Sequence, residues 1–220
     1  MKIKKTYIIS ICLILTSLLV FLPVSGSDSE AGSASWPRTV EDDLHHLVLL
    51  DAKPERIVSL APSNTEILFA LGLSDQIIGV TDYCTYPDEA LEKSTVGGFS
   101  TVSIEKVIAL KPDFVVASPG NDMEIIDRIS SLGIPAYYVE AKDLDQIYIT
   151  FEKLGQLTGT EEKAISIITD LKTREEAIRA EGEKSSKKPT LAHVIWNDPI
   201  YVSGKGTFQD ELIQITGGVN

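Results

Sequence analysis

The chain has 220 residues, a formal net charge of −12 at pH 7 and two cysteines. So acidic a composition argues against a nucleic-acid binder, whose affinity comes from dense lysine and arginine facing phosphate, and two cysteines cannot supply a disulfide framework. The length allows one full domain or one and a fraction.

Lys2, Lys4 and Lys5 precede an apolar run from Ile8 to Leu22, broken only by Ser10, Thr16 and Ser17 and followed by Pro23-Val24-Ser25-Gly26. This pattern predicts a secretory signal over residues 1–26. An uncleaved anchor is the alternative, because the run is close to the length of a short membrane span. No cysteine directly follows the run, so a lipid-attachment motif is missing. Removing residues 1–26 takes away three lysines and no acid, moves the net charge from −12 to −15, and leaves Cys84 as the lone thiol. Residues 27–35, SDSEAGSAS, are small, polar and acidic, the composition of a flexible spacer.

Thr39 to Leu50 alternates weakly and is expected to form a hairpin over a sheet edge. Strands are predicted at Arg56–Leu60, Gln76–Thr81, Phe114–Ser118 and Ala136–Glu140, and helices at Asn64–Leu71, Ser103–Leu110, Asp122–Leu132 and Leu144–Leu157. Ser63-Asn64-Thr65-Glu66 has the S-x-x-E spacing of a capping box at the start of the first helix. Strands alternating with helices predict an α/β fold with a mostly parallel sheet covered on both faces. Glu161 to Glu183 is long and charged, with a sparse apolar stripe at Ala164, Ile168, Leu171 and Ile178, as in a connecting helix. Beyond it a strand is expected at Thr190–Ile195, a short strand at Ile200–Ser203 and a helix at Phe208–Ile215.

Four segments in order carry a resemblance: PERIVSLAPSNTEILFALG (54–72), TDYCTYP (81–87), GGFSTVSIEKVIALKPDFVVA (97–117) and WNDPIYVSGKGTFQDELIQITGG (196–218). From about residue 36 onward the chain resembles the substrate-binding proteins of vitamin B12 and iron-siderophore ABC importers. The resemblance implies a two-lobe periplasmic-binding-protein fold with a rigid bridging helix. Residues 36–158 would form the N-terminal lobe, 159–189 the bridging helix and linker, and 190–220 the start of a C-terminal lobe that is begun and not finished. It also implies an exported monomer that binds a small molecule and docks on a membrane permease.

Ligand contacts are sought in the loops at the carboxyl ends of the strands. Ser63 and Asn64 follow the first strand, Tyr83 and Tyr86 the second, and Phe99 and Trp196 add flat apolar faces suited to a corrin, a porphyrin or an aromatic siderophore. Glu105, on the first turn of its helix, is stabilised there by the helix dipole. By resemblance it matches a glutamate that docks into permease arginines. Cys84 reads as a small apolar side chain rather than a metal ligand, and His45, His46 and His193 form no convergent metal set. Gly204-Lys205-Gly206 is too short for a phosphate loop, no G-x-S-x-G is present, and Ser63 has no base near it in sequence, so no enzyme is expected. The reading is a carrier of a cobalamin-type corrinoid, with cobalamin as cargo and no cofactor. The alternatives are a carrier of ferric siderophore or haem, a redox or metal-insertion subunit on the same scaffold, and a non-binding remnant.

Overall fold

The computed structural model describes residues 35–220; the expected signal at 1–26 and residues 27–34 of the expected spacer lie outside them. Among the described residues no helix is long and apolar enough to cross a membrane. Strands β1 (Arg38–Glu41) and β2 (Leu47–Leu50) form an antiparallel hairpin, with His45 and His46 in its turn. Asp42 closes the turn by accepting the backbone N–H groups of Leu44 and His46 at 2.9 and 2.8 Å. There follow β3 (Ile57–Ser59), α1 (Pro62–Ala70), β4 (Ile77–Val80), a 3₁₀ turn at Asp88–Glu92, β5 (Ser94–Thr95), α2 (Ile104–Ala109), β6 (Phe114–Ala117), α3 (Met123–Ser131) and β7 (Ala136–Tyr138). Two longer helices, α4 (Leu144–Thr158) and α5 (Glu161–Lys184), lead to β8 (Val194–Asn197), β9 (Ile200–Val202) and α6 (Phe208–Ile215).

Five strands form one parallel sheet in the order β5-β4-β3-β6-β7. Every residue of β3 and β6 is buried, as expected of central strands covered on both faces. The period-2 alternation of a strand divides their side chains between two cores. Ile57, Phe114, Val116 and Tyr137 pack with Leu68 of α1, Leu71 at its C-terminal cap, and Leu154 and Leu157 of α4. Val58, Val115, Ala117 and Tyr138 pack on the opposite face with Val107 of α2 and Ile126 and Ile129 of α3. A fully buried leucine such as Leu154 is worth about 2–5 kcal/mol against alanine.

The sequence boundaries shift where local chemistry overrides pattern. Helix α1 begins at Pro62, whose fixed φ suits the first helical position. Ala61 is its cap residue and makes no side-chain cap, so the expected capping box at Ser63 is not formed. The strand expected at Thr190–Ile195 starts at Val194 and runs through Asn197, because its partner β9 pairs Trp196 with Tyr201 and Asn197 with Ile200.

Helix α5 has 24 residues, about 36 Å at 1.5 Å per residue, and packs antiparallel-fashion against α4 after a left-handed turn at Gly159. Its other end meets the turn after α6. A Cβ at Gly182 would lie 2.7 Å from the carbonyl carbon of Thr216 and 2.8 Å from the backbone nitrogen of Gly217, so only glycine permits this approach. Polar ties reinforce the joint. The Tyr148 hydroxyl on α4 donates to Glu175 on α5 at 2.8 Å, Arg179 donates to the same carboxylate at 2.7 Å, and the Leu144 N–H donates to Glu211 on α6 at 2.9 Å.

Burial and the bond to Glu175 push the Tyr148 phenol up to about 12, while the hydrogen bonds from Arg179 and Tyr148 hold Glu175 below its ordinary range. The tyrosine's contribution is therefore complete below its ordinary value of 10 and disappears as pH rises through about 12; the glutamate's is present above 4.5 and fades as pH falls below it. Tyr148→Phe is expected to lower stability by about 1 kcal/mol at pH 7. The gap from wild type should close on the alkaline side, as read from urea-unfolding midpoints across pH.

Candidate functional site

The strand order has one reversal. From β3 the chain moves outward to β4 and β5, then returns to place β6 on the other side of β3 and continues to β7. At such a switch point neighbouring connections leave in opposite directions and open a crevice beyond the carboxyl ends of the strands. A concavity of about 410 Å³ lies there, lined by Ala61-Pro62-Ser63 after β3, Ser118-Pro119 after β6, Val139-Glu140-Ala141 after β7, and Phe99. A second concavity of about 410 Å³ lies between β2 and the start of β7. Size does not separate the two; topology favours the first, which also receives the start of α1, where the first backbone N–H groups have no intrahelical acceptor.

One buried side chain holds this crevice in shape. Asn121 is 6% exposed. Its amide donates to the carbonyls of Leu60 and Phe99 at 2.9 and 2.7 Å, and its side-chain oxygen accepts the Ser118 N–H at 2.8 Å. The end of β3, the end of β6 and the Phe99 loop are thus fastened to a single residue. Phe99 lies against the turn before it, so close that a Cβ on Gly120, which has φ +98°, would stand 2.4 Å from its ring. The sequence places Asn121 in Ser118–Asn121, one of the strand-end loops where ligand contact is expected, as an asparagine just past a Pro-Gly turn at the end of a buried strand; that it fastens three segments together is shown only by the structure.

Residues 57–220 match the family described as Periplasmic binding protein. The chain belongs to that family. YvrC, an uncharacterised ABC transporter substrate-binding lipoprotein of Bacillus subtilis, is 34% identical over 207 residues, covering 90% of this chain and 66% of its own length. The vitamin B12 binding protein BtuF of Vibrio cholerae is similar in structure, with a TM-score of 0.68, 34% identity, and coverage of 76% of this chain and 66% of that one. The haem-binding protein RhuT from Roseiflexus sp. RS-1 aligns with a TM-score of 0.70 at 26% identity, over 76% of this chain and 65% of its own. The chain spans about two thirds of the length of these relatives. Its fold is the α/β periplasmic-binding-protein architecture expected from the sequence.

Within this periplasmic binding protein the predicted site residues separate. Ser63 and Phe99 line the switch-point concavity. Asn64 does not: it is fully buried, its amide donates to the Ala117 carbonyl at 3.0 Å, and it supports the site from beneath. Tyr83 and Tyr86 stand outside the lining on the loop after β4, 65% and 66% exposed. Trp196 is also outside it, on strand β8 rather than a loop, with its indole N–H donating to the Asp198 carbonyl at 2.7 Å. Glu105 sits on the exposed first turn of α2, where its own backbone N–H and then the Ser103 hydroxyl hold its carboxyl below the usual range. Cys84 is buried at 3% exposure, with the Thr65 and Thr81 hydroxyls each 3.2 Å from its sulfur, a packing role that pins the tyrosine loop to α1. Among the described residues no group of three or more His, Cys, Asp or Glu side chains is placed to hold a metal ion.

Asn121→Ala should leave three backbone groups without their partner and lower stability by about 1–3 kcal/mol. Urea unfolding of the two proteins measures the difference, and an unchanged midpoint would remove Asn121 from this role.

Proposed function

We propose that this protein is the exported solute-binding component of an ABC importer, which captures a cobalamin-type corrinoid and passes it unchanged to a membrane permease. The observation that carries this reading is the switch-point concavity, a preformed crevice with one aromatic wall, Phe99, that receives the first turn of α1 at Pro62-Ser63. Its volume suits one edge of a large flat ligand rather than the whole. The remaining contact would come from the facing C-terminal residues, with Trp196 on β8 as their aromatic contribution, and from Tyr83 and Tyr86 at the rim. Similarity to a vitamin B12 binding protein supports the corrinoid. Similarity to a haem-binding protein supports the haem arm of the alternative, a haem or ferric-siderophore carrier.

Delivery needs a docking feature, and Glu105 is the proposed one. It is exposed, it is held as a carboxylate, and its short helix lies away from the concavity lining. A charge of this kind governs register and encounter rate more than affinity. Helix α5, tied at both ends, would keep the two parts of the cleft at a fixed separation, so capture proceeds with little hinge motion.

Calorimetric titration of the chain with cyanocobalamin, and separately with haemin and a ferric siderophore, tests the reading. Saturable binding of cyanocobalamin is expected. Ser63→Phe, which adds bulk at an exposed lining position, should weaken it by roughly tenfold or more, about 1.4 kcal/mol. Binding that ignores this substitution would move the site elsewhere, and haemin or siderophore binding without cyanocobalamin would favour the alternative.

A further inference from the structure

We propose that Glu140 makes the N-terminal half of the cleft selective for ligands that present amide or other uncharged donors, and that it rejects anionic ones. This inference rests on the corrinoid reading and narrows it. Glu140 is the single charged side chain lining the switch-point concavity. It follows β7, with its side chain 36% exposed. Its backbone N–H donates to Asp43 at 2.7 Å, which fixes the segment from behind.

The cations that would normally receive a ligand carboxylate are placed elsewhere. Arginine is the side chain suited to planar, bidentate recognition of carboxylates, and the chain has five. Arg38 pairs with Glu161 at 2.7 Å and donates to the Gln156 carbonyl. Arg56 donates to the carbonyls of Leu110 and Lys111, beside the amino end of β3 and so opposite the crevice. Arg128 is in α3, and Arg174 and Arg179 are in α5, beside Asp170 and Glu175. None belongs to the concavity lining. Lys142 does approach, 3.1 Å from one Glu140 oxygen, but it is 66% exposed and also outside the lining. Such a pair is well screened by solvent and leaves the cleft side with an acceptor rather than a donor.

A carboxylate can only accept hydrogen bonds, whereas a primary amide can donate two. Glu140 therefore favours an amide-bearing periphery, such as that of a corrin, over the propionates of haem or the anionic oxygens of many ferric chelates.

The test compares cyanocobalamin with its three isomeric monocarboxylic acids, in each of which one propionamide is hydrolysed to a propionate of nearly the same shape. Binding is measured by calorimetry at pH 7.5 and low salt with the full chain. At least one acid should bind tenfold or more weakly than the parent. Glu140→Gln should bring that ratio close to one, and Lys142→Ala should widen it. Equal binding of all three acids and the parent, or a ratio that Glu140→Gln leaves unchanged, overturns the role of Glu140 while the corrinoid reading stands. A chain that binds no corrinoid overturns both.

Discussion

The pairing of β3 with β6 is the constraint from which the rest of the molecule follows. These strands are adjacent in space but separated by 54 or more residues along the chain, and they run in parallel register from Ile57 opposite Phe114 to Ser59 opposite Val116. Because the chain leaves β3 toward one edge of the sheet and β6 toward the other, α1 and α3 must cover opposite faces. That opposition divides the hydrophobic residues into two cores and opens the crevice between the strand ends. A close contact between two backbones thus shapes a concavity, and Asn121 converts it from a seam into a defined form by bonding both strand ends at once.

The second structural theme is rigidity at a distance from the crevice. The α4–α5 turn at Gly159, the Tyr148–Glu175–Arg179 hydrogen bonds and the glycine contact between Gly182 and Gly217 hold the long helix at its beginning, middle and end. Any one of the exposed ion pairs contributes little. Together with the close glycine backbone approaches they tie the C-terminal residues to the helices that cover the sheet. Strands β8 and β9 expose Ile195, Trp196, Ile200 and Tyr201. An apolar surface of this type is suited to contact with other protein or with a flat ligand.

Much of the fold was legible because buried parallel strands leave a strong signal. Ile57-Val58 and Phe114-Val115-Val116 are continuous β-branched or aromatic runs followed closely by turn residues, and the helices between them carry plain stop signals. What was not legible depended on partners remote in sequence. The two residues of β5 become a strand only because β4 lies beside them. Trp196, expected on a loop, lies in a strand because β9 pairs Tyr201 with it. Ser63 could be placed from loop position alone, whereas Phe99, outside the loops at the strand ends, is brought to the concavity by its contact with Gly120 and its carbonyl's bond to Asn121. Asn64 could not, because its burial comes from the Ala117 carbonyl 53 residues away. The roles of Glu140 and of the Asn121 side chain were not legible for the same reason: they depend on which loops the topology brings together, and periodicity carries no information about that.

The central claim is that ligand is captured at the β3/β6 switch point on a framework that does not bend. Amide hydrogen exchange of the full chain, with and without saturating cyanocobalamin, tests it most directly. The account predicts new protection confined to Ala61–Asn64, Phe99, Ser118–Asn121 and Val139–Ala141, with exchange along α5 unchanged. Protection centred instead on β2 and the start of β7, or a changed exchange pattern along α5, would contradict it.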